Sequence, residues 1–174
     1  MLNDSRGFSL IELIITILIL SLGAGVIYSF LEAILASPEP TLRARAAVLG
    51  QGLMDEIVAK RWDETSPLGG GNTTSPSHVL GPDAGESTRF QYDDVDDYNG
   101  FSESDTFRDQ DGNSFLVKGA KRSVKVDYIP DSASRIDYNV PVATTSPTNT
   151  KRIVVTVETA AGETFRFVSV RCNY

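Results

Sequence analysis

The apolar positions of this chain form one long run near the N-terminus and several shorter periodic patterns after it. Residues 13–31 are nineteen consecutive positions without a charged side chain, most of them Ile or Leu. As an α-helix that rises about 1.5 Å per residue, this run would be roughly 28 Å long, close to the thickness of a bilayer's hydrocarbon core. The pattern predicts a single membrane-spanning helix followed by a polar domain.

A second helix is predicted just after this run. The prolines of SPEP, residues 37–40, interrupt helical geometry, and Thr41 is a suitable N-cap for a new helix. Over residues 42–62, apolar side chains recur at spacings of three and four, which places them on one helical face. They are Leu42, Ala46, Leu49, Leu53 and Ile57. We expect this face to form part of the core of the polar domain.

The rest of the chain contains the two-residue alternation typical of half-buried β-strands. The clearest example is RIVVTVE, where Ile153, Val155 and Val157 share one face, and TFRFVSV follows after a short turn that contains Gly162. Together these two stretches predict a β-hairpin. The alternating residues of a further stretch are Val124, Val126 and Tyr128. Strands are predicted at residues 88–92, 116–129, 135–140, 151–159 and 163–171, and a loop at residues 63–82.

These elements predict an α+β fold, with a long N-terminal helix packed on an antiparallel sheet. The formal net charge is −7, and no basic patch with interleaved aromatic residues is present, which argues against nucleic acid as a partner. Cys172 is the only cysteine, so the chain cannot form the intrachain disulfides that often stabilise small exported domains.

Glu12 is not explained by a simple membrane anchor. It interrupts the apolar side chains just before the uncharged run, and a carboxylate deep in hydrocarbon costs on the order of 3 kcal/mol. An ordinary secretory signal has a shorter apolar region, of about 7–15 residues, than the one found here. A plain single-span anchor has no use for an acid at this position.

The stretch GFSLIEL, residues 7–13, resembles the processing motif of type IV prepilins and of the pseudopilins of type II secretion. This resemblance implies that a prepilin peptidase cleaves after Gly7 and that Phe8 becomes the N-methylated first residue. It also implies an assembly role for Glu12, whose carboxylate would pair with the N-terminal ammonium of a neighbouring subunit in a filament. The implied fold is pilin-like, with a long helix whose transmembrane half precedes an amphipathic half packed on an antiparallel β-sheet.

The same resemblance divides the chain into four segments. Residues 1–7 would be the removed leader, and residues 8–36 the transmembrane and filament-core helix. Residues 37–62 would be the amphipathic helix that continues into the head, and residues 63–174 a periplasmic, β-rich globular domain.

Two acidic stretches, YDDVDDYNG and DTFRDQDGN, are the densest polar clusters. Each matches part of an EF-hand loop, but Val95 and Phe107 occupy positions where an acid is expected, and no Glu follows at the last ligand position. The favoured interpretation is that these side chains are solvated and bond their own backbone in turns. The alternative is a calcium site of another type, with the candidate ligands Asp93, Asp94, Asp96, Asp97 and Asn99.

The sequence does not favour an enzyme. His78 is the only histidine and lies in a Ser/Thr/Pro-rich loop. The chain has no nucleophile elbow, phosphate-binding loop or metal-spaced His/Cys set. We therefore expect a structural protein without a catalytic site.

Several stretches of the polar domain resemble minor pilins of the mannose-sensitive haemagglutinin (MSHA) pilus of Gram-negative bacteria. They are RAAVLGQGLMDEIVAKRWDETSPLGGG, LGPDAGE, YDDVDDYNGF and RCNY. This resemblance implies an inner-membrane protein with a periplasmic domain that later enters an extracellular fibre for attachment or motility. The implied partners are other pilins, the prepilin peptidase and methyltransferase, the inner-membrane assembly platform and, before assembly, lipid. A minor pseudopilin of type II secretion and a membrane-anchored binding module are the alternatives.

Overall fold

The computed structural model describes residues 9–35, 40–67, 71–109, 111–130 and 146–174. The chain divides into two compact units, Met1–Glu39 and Pro40–Tyr174. Three sequence predictions lie wholly or largely outside the described residues: the processing site at Gly7 and Phe8, the strand at 135–140, and the break at 37–40.

The first unit contains one helix, α1, at Leu10–Leu35. Among the described residues, the membrane-length apolar stretch lies in this helix. Its 26 residues span about 39 Å at 1.5 Å per residue, more than the hydrocarbon core requires. The hydroxyls of Thr16, Ser21 and Ser29 donate to carbonyl oxygens of the preceding turn at 2.8–2.9 Å. These bonds satisfy polar groups that lipid cannot.

The second unit contains a helix and a four-stranded sheet. Helix α2 is Pro40–Ala59, and the strands are β1, Ser102–Arg108; β2, Ser114–Tyr128; β3, Thr150–Glu158; and β4, Thr164–Cys172. All pairings are antiparallel, in the order β1-β2-β3-β4. Two short 3₁₀ turns, Arg89–Gln91 and Asp96–Tyr98, precede the sheet. The predicted α+β, pilin-like arrangement is confirmed.

The apolar stripe of α2 packs on β3 and β4. Ala46, Leu49, Leu53 and Ile57 are buried, as predicted, while Leu42 is only partly covered. From the sheet, the core receives two cross-strand pairs on one face, Val124 opposite Val155 and Val126 opposite Ile153. The 3.6-residue period of α2 and the two-residue period of the strands therefore give each element one apolar face, and these two faces pack together.

Glu56 is the charged residue on the buried side of α2. Its carboxylate accepts a hydrogen bond from the Tyr98 hydroxyl at 2.7 Å and forms an ion pair with the Arg89 guanidinium. Burial opposes ionisation, but the bonds from Arg89 and Tyr98 outweigh it and lower the pKa of Glu56. The acid is thus held charged where α2 meets the loops.

The predicted β3–β4 hairpin is confirmed. The Thr159 N–H donates to the Glu163 carbonyl at 2.8 Å, and the Gly162 N–H donates to the Thr159 carbonyl at 2.9 Å. Gly162 has φ +78°, a conformation that glycine adopts without strain. The strands predicted at 116–129, 151–159 and 163–171 match β2, β3 and β4 to within two residues.

The boundaries of α2 differ from the prediction. The helix begins at Pro40 rather than after Thr41, because proline is well suited to the first helical position, where its missing N–H has no helical partner. It ends at Ala59 rather than at Trp62. Arg61 instead forms a bridge with Asp94, in which the Val95 N–H donates to the Arg61 carbonyl at 3.0 Å.

The strand predicted at 88–92 is wrong. This segment forms the 3₁₀ turn Arg89–Gln91, because the side-chain oxygen of Gln91 accepts hydrogen bonds from the N–H groups of Ser87 and Thr88 at 2.9 and 3.0 Å. The side-chain bonds hold the backbone in a turn that the local apolar and aromatic composition does not reveal.

Strand β1 was not predicted. Its sequence, SESDTFR, has a single buried apolar residue, Phe107. Its pairing with β2 changes register between Ser104 and Thr106, and Asp105 between them has φ +59°. The Asp105 carboxylate accepts a bond from the Gly119 N–H at 2.6 Å, which stabilises this bulge.

Candidate assembly segment and buried ionic centre

Glu12 lies in the first turn of α1. Its N–H donates to the Ser9 carbonyl at 3.0 Å, and the Leu13 N–H donates to the same oxygen at 3.2 Å, so Ser9 is at the helix start. Ser9 and Glu12 have the S-x-x-E spacing of a capping box. A carboxylate near a helix N-terminus gains about 0.3–1 kcal/mol from the helix dipole. Glu12 thus stands at a position where a carboxylate favours the start of a helix, in addition to its predicted role in assembly.

The surface of α1 is apolar on every side. Its large apolar side chains are 49–83% exposed, and none of its residues is buried. A helix that is hydrophobic all round requires apolar surroundings, either lipid or other helices. Glu12 is therefore a single carboxylate at the beginning of a helix that must be enclosed by apolar material.

The first acidic stretch folds back on its own backbone. The Asp97 carboxylate accepts bonds from the N–H groups of Asp93 and Asp94 at 2.9 and 3.0 Å. The Asp94 carboxyl accepts bonds from the N–H groups of Asp96 and Asp97 at 2.9 and 3.3 Å. The predicted backbone bonding is confirmed. The expectation of solvated acids is wrong for Asp94, Asp96 and Asp97, which are 2–3% exposed.

A lysine pairs with this buried turn. Lys151, from the start of β3, is fully buried, and its Nζ donates three hydrogen bonds. The acceptors are the Trp62 carbonyl at 2.7 Å, Asp63 Oδ2 at 3.1 Å and Asp96 Oδ1 at 2.6 Å. The Trp62 and Tyr128 ring centroids lie 4.2 and 5.5 Å from Nζ. All three N–H groups of the ammonium are therefore used, which is the condition for burying such a charge. We call Lys151, Asp63, Asp96 and Asp94 the ionic centre.

The carboxyl groups of the ionic centre have different proton affinities. Burial opposes ionisation of Asp63, but hydrogen bonds from Ser77 and Thr65 and the charge of Lys151 outweigh it and lower the pKa of Asp63 to about 2. Burial, followed by a hydrogen bond to Asp96 and nearby negative charge, raises the pKa of Asp94 to about 9. Asp63 is therefore stabilised as an anion, whereas Asp94 holds its proton more strongly than an ordinary aspartic acid.

These contacts narrow the calcium prediction. The Lys151 ammonium would repel a cation at Asp96, and Asn99 bonds the Val126 N–H and the Leu80 carbonyl at 3.0 and 3.1 Å. Carboxylate oxygens of Glu86, Asp93 and Asp97 do lie within 4.8 Å of one another. Asp93 also forms an ion pair with Arg61. Calcium binding stays a prediction, centred on Asp93 and Asp97.

Sequence reasoning missed Lys151. The signal was available in the alternation of β3, because counting back by two from Ile153 places Lys151 on the core face, opposite Tyr128 of β2. A lysine at a core position of a central strand requires buried acids, and the acidic turn supplies them. The alternation of β3 does not show which acids surround Lys151, and the acidic stretch does not show which cation it pairs with.

Comparison with known proteins finds a match to the N-terminal segment of the chain. Residues 2–28 match the family model described as the prokaryotic N-terminal methylation motif. No curated protein and no solved structure matches the chain. The match covers Gly7, Phe8 and Glu12 and ends within α1.

The prepilin-type segment supports assignment to the class of type IV pilins and pseudopilins, and it implies processing by a prepilin peptidase. Together with the α+β fold, it points to a structural subunit rather than an enzyme. An apolar helix directly after such a motif is consistent with membrane anchoring before assembly.

The ionic centre predicts a specific loss of stability in acid. Because the pKa of Asp63 falls from its ordinary 3.8 to about 2 on folding, its contribution is present above pH 4 and disappears as the pH falls towards 2. The expected contribution is about 2 kcal/mol. Free energies of unfolding of the full chain in detergent should therefore converge for wild type and Asp63→Asn between pH 4 and pH 2. A difference that stays constant over this interval would contradict the assigned pKa.

Proposed function

We propose that the protein is a minor pilin of an MSHA-type type IV pilus, most like the minor pilin MshD. The observation that carries the proposal is the N-terminal methylation motif joined to a wholly exposed apolar helix with Glu12 at its start. The stretches of the globular unit that resemble MSHA minor pilins support the finer assignment. The proposed role is to enter or initiate the filament, which serves attachment and motility.

In this proposal, processing creates the partner of Glu12. Cleavage after Gly7 makes the amine of Phe8 a new positive N-terminus, which is then methylated. When apolar helices pack together, the Glu12 carboxylate of one subunit meets this ammonium on a neighbour. A buried ion pair adds little net stability, because desolvation offsets its attraction. The pair does disfavour axial offsets between neighbouring helices that leave either charge unpaired. Its effect is therefore on the register of the subunits in the filament.

The proposal places the protein in the inner membrane before assembly, with residues 63–174 in the periplasm, and later in the extracellular fibre. Its partners would be the prepilin peptidase and methyltransferase, the assembly platform, and major and minor pilins. A minor pseudopilin of type II secretion is the second candidate, because residues 7–13 resemble the processing motif of pseudopilins as well as that of type IV prepilins.

The test is mass spectrometry of sheared surface pili from cells that express the protein. We expect peptides that begin at N-methyl-Phe8, at a level well below that of the major pilin. Deleting the MSHA assembly genes should remove the protein from the sheared fraction, whereas deleting the type II secretion genes should not. The reverse dependence would assign it to the secretion system, and a processed protein confined to membranes would contradict assembly altogether.

Glu12 variants separate its two roles. Glu12→Gln keeps a side chain that can hydrogen-bond at the helix start but removes the charge, and Glu12→Leu removes both. If charge pairing sets register, both variants should be cleaved normally and both should be depleted from sheared pili at least about tenfold, equivalent to about 1.4 kcal/mol of assembly free energy. Wild-type incorporation of Glu12→Gln would leave only the helix-start role.

A further inference from the structure

We propose that Lys151 and Asp96 condense to form an intramolecular isopeptide bond within the folded globular unit. This goes beyond the proposed function, since it concerns a covalent modification of the chain. The two side chains come from different elements, β3 and the 3₁₀ turn Asp96–Tyr98, and meet in the interior. Lys151 Nζ lies 2.6 Å from Asp96 Oδ1, and both side chains are at most 4% exposed.

The fold holds the two groups in contact before any reaction. Lys151 is fixed by its position in the strand, by the Trp62 carbonyl and by the two aromatic rings. Asp96 is fixed by the bond from its own N–H to Asp94. Reacting groups held at contact distance gain a large rate advantage over groups free in solution. Ordinary Lys–Asp pairs on a surface lack this restraint.

The surroundings select Asp96, rather than Asp63, as the electrophile. Asp63 accepts four hydrogen bonds: Oδ1 from the Thr65 N–H and hydroxyl, and Oδ2 from the Ser77 N–H and Lys151. Such bonds stabilise the carboxylate, which resists nucleophilic attack. The Asp96 carboxyl accepts the bond from Lys151, and burial outweighs the interactions with Asp94 and Lys151 and raises the pKa of Asp96. It is therefore the acid that can become a neutral carboxylic acid next to an amine.

The site also excludes water. Trp62 and Tyr128 cover the lysine and are 4% and 2% exposed, and Val95 next to Asp96 is fully buried. Burial removes the hydration of the ammonium and the carboxylate and so raises the free energy of the charged pair. The free energy of the neutral amine and carboxylic acid then lies closer to that of the charged pair. Water is the product of condensation, and its low local concentration also opposes hydrolysis of the bond.

The step requires no oxidant or cofactor. The Lys151 ammonium gives one proton to the Asp96 carboxylate, which leaves an amine and a carboxylic acid. The nitrogen lone pair attacks Cγ of Asp96, and a C–N bond forms. Asp94 donates its carboxyl proton to the departing hydroxyl oxygen and receives a proton from the nitrogen, so the Cγ–O bond breaks and one water leaves. The sum is ammonium plus carboxylate to amide plus water, with Asp94 restored.

The bond would replace a disulfide in a chain that cannot form one. It would join residues 55 positions apart and connect the acidic turn to the start of β3. A covalent link of this span stabilises by restricting the unfolded chain, as a disulfide does. Unlike a disulfide, it is insensitive to reduction.

The test is the mass of the full chain, extracted from membranes in detergent and denatured before measurement. Wild type should weigh less than its processed sequence by one water molecule. Protease digestion should then give a branched peptide in which Asp96 is joined to Lys151. A wild-type mass without this loss, or a link to Asp63 in place of Asp96, would overturn the proposal without reference to any variant.

Two matched variants test the proton carrier. Asp94→Asn keeps the size and hydrogen bonding of the side chain but cannot transfer a proton, so we expect the cross-link to form about a hundredfold more slowly. Asp93→Asn changes the preceding acid, whose side chain is 51% exposed, and should cross-link as wild type does. Equal rates in the two variants would overturn the role of Asp94.

Discussion

Replacing Lys151 with methionine is expected to lower the free energy of unfolding by about 3–5 kcal/mol, the usual loss when one member of a buried ion pair is removed. The variant retains a long side chain of similar volume, so little packing is lost. It leaves Asp63 and Asp96 without the ammonium on which both depend, and both are inside the protein. If Lys151 and Asp96 are joined by an amide bond, the loss is larger, because the cross-link is removed as well.

Denaturant unfolding of the full chain in detergent, followed by the fluorescence of Trp62, measures this effect directly. Trp62 is the only tryptophan, and its ring lies 4.2 Å from Lys151 Nζ, so the probe is within the ionic centre. The matched control is Lys125→Met, which removes an ion pair to Asp127 from a lysine side chain that is 60% exposed. The control should lose no more than about 1 kcal/mol. Similar losses in the two variants would mean that the ionic centre is not a buried charge site.

Two glycines of α2 are expected to respond in opposite directions to alanine. At Gly50, a Cβ would lie 2.0 Å from the Phe167 ring of β4, so Gly50→Ala forces the helix or the ring to move. The expected loss is about 1–3 kcal/mol, the usual effect of overpacking. At Gly52, a Cβ would meet nothing within 4 Å. Gly52→Ala should therefore stabilise the protein by up to about 1 kcal/mol through helix propensity.

The comparison is internally controlled, because both substitutions add one methyl group to the same helix. Midpoints of denaturant unfolding should move to lower denaturant for Gly50→Ala and to higher denaturant for Gly52→Ala. A second change, Phe167→Leu, should recover part of the loss at Gly50, since it removes the atoms in conflict. Stabilisation by both alanines would show that α2 does not approach β4 as closely as described.

Local patterns predicted much of the fold. The apolar face of α2 and the alternation in β2, β3 and β4 are properties of neighbouring residues, so the sequence contains them directly. Strand β1 lacks such a pattern, since Phe107 is its only buried apolar residue and its pairing with β2 includes a bulge. At residues 88–92 the composition resembles a strand, but the strand prediction was wrong. The Gln91 side chain accepts a hydrogen bond from the preceding backbone and holds the segment in a turn.

The candidate sites also differ in whether they are formed by residues that are close in the sequence or by residues that meet only in the fold. The processing motif and Glu12 lie within one short stretch, so spacing alone identifies them. The ionic centre depends on Lys151 meeting Asp63 and Asp96, which precede it by 88 and 55 residues. Only the register of β3 against β2 and the folding of the acidic turn bring these groups together. Alternation indicates that Lys151 is buried, but it contains no information about which acids surround it.

The bulge in β1 has a consequence for how copies of this protein meet. An open sheet edge offers unpaired N–H and C=O groups to any strand that approaches it. Here the edge is seven residues long, carries Glu103 and Asp105, and is distorted in its middle by the left-handed backbone of Asp105. Such an edge is a poor template for an incoming strand. Copies of the globular unit that come close together are thereby kept from pairing sheet to sheet at β1, so crowding does not lead to aggregation through this edge.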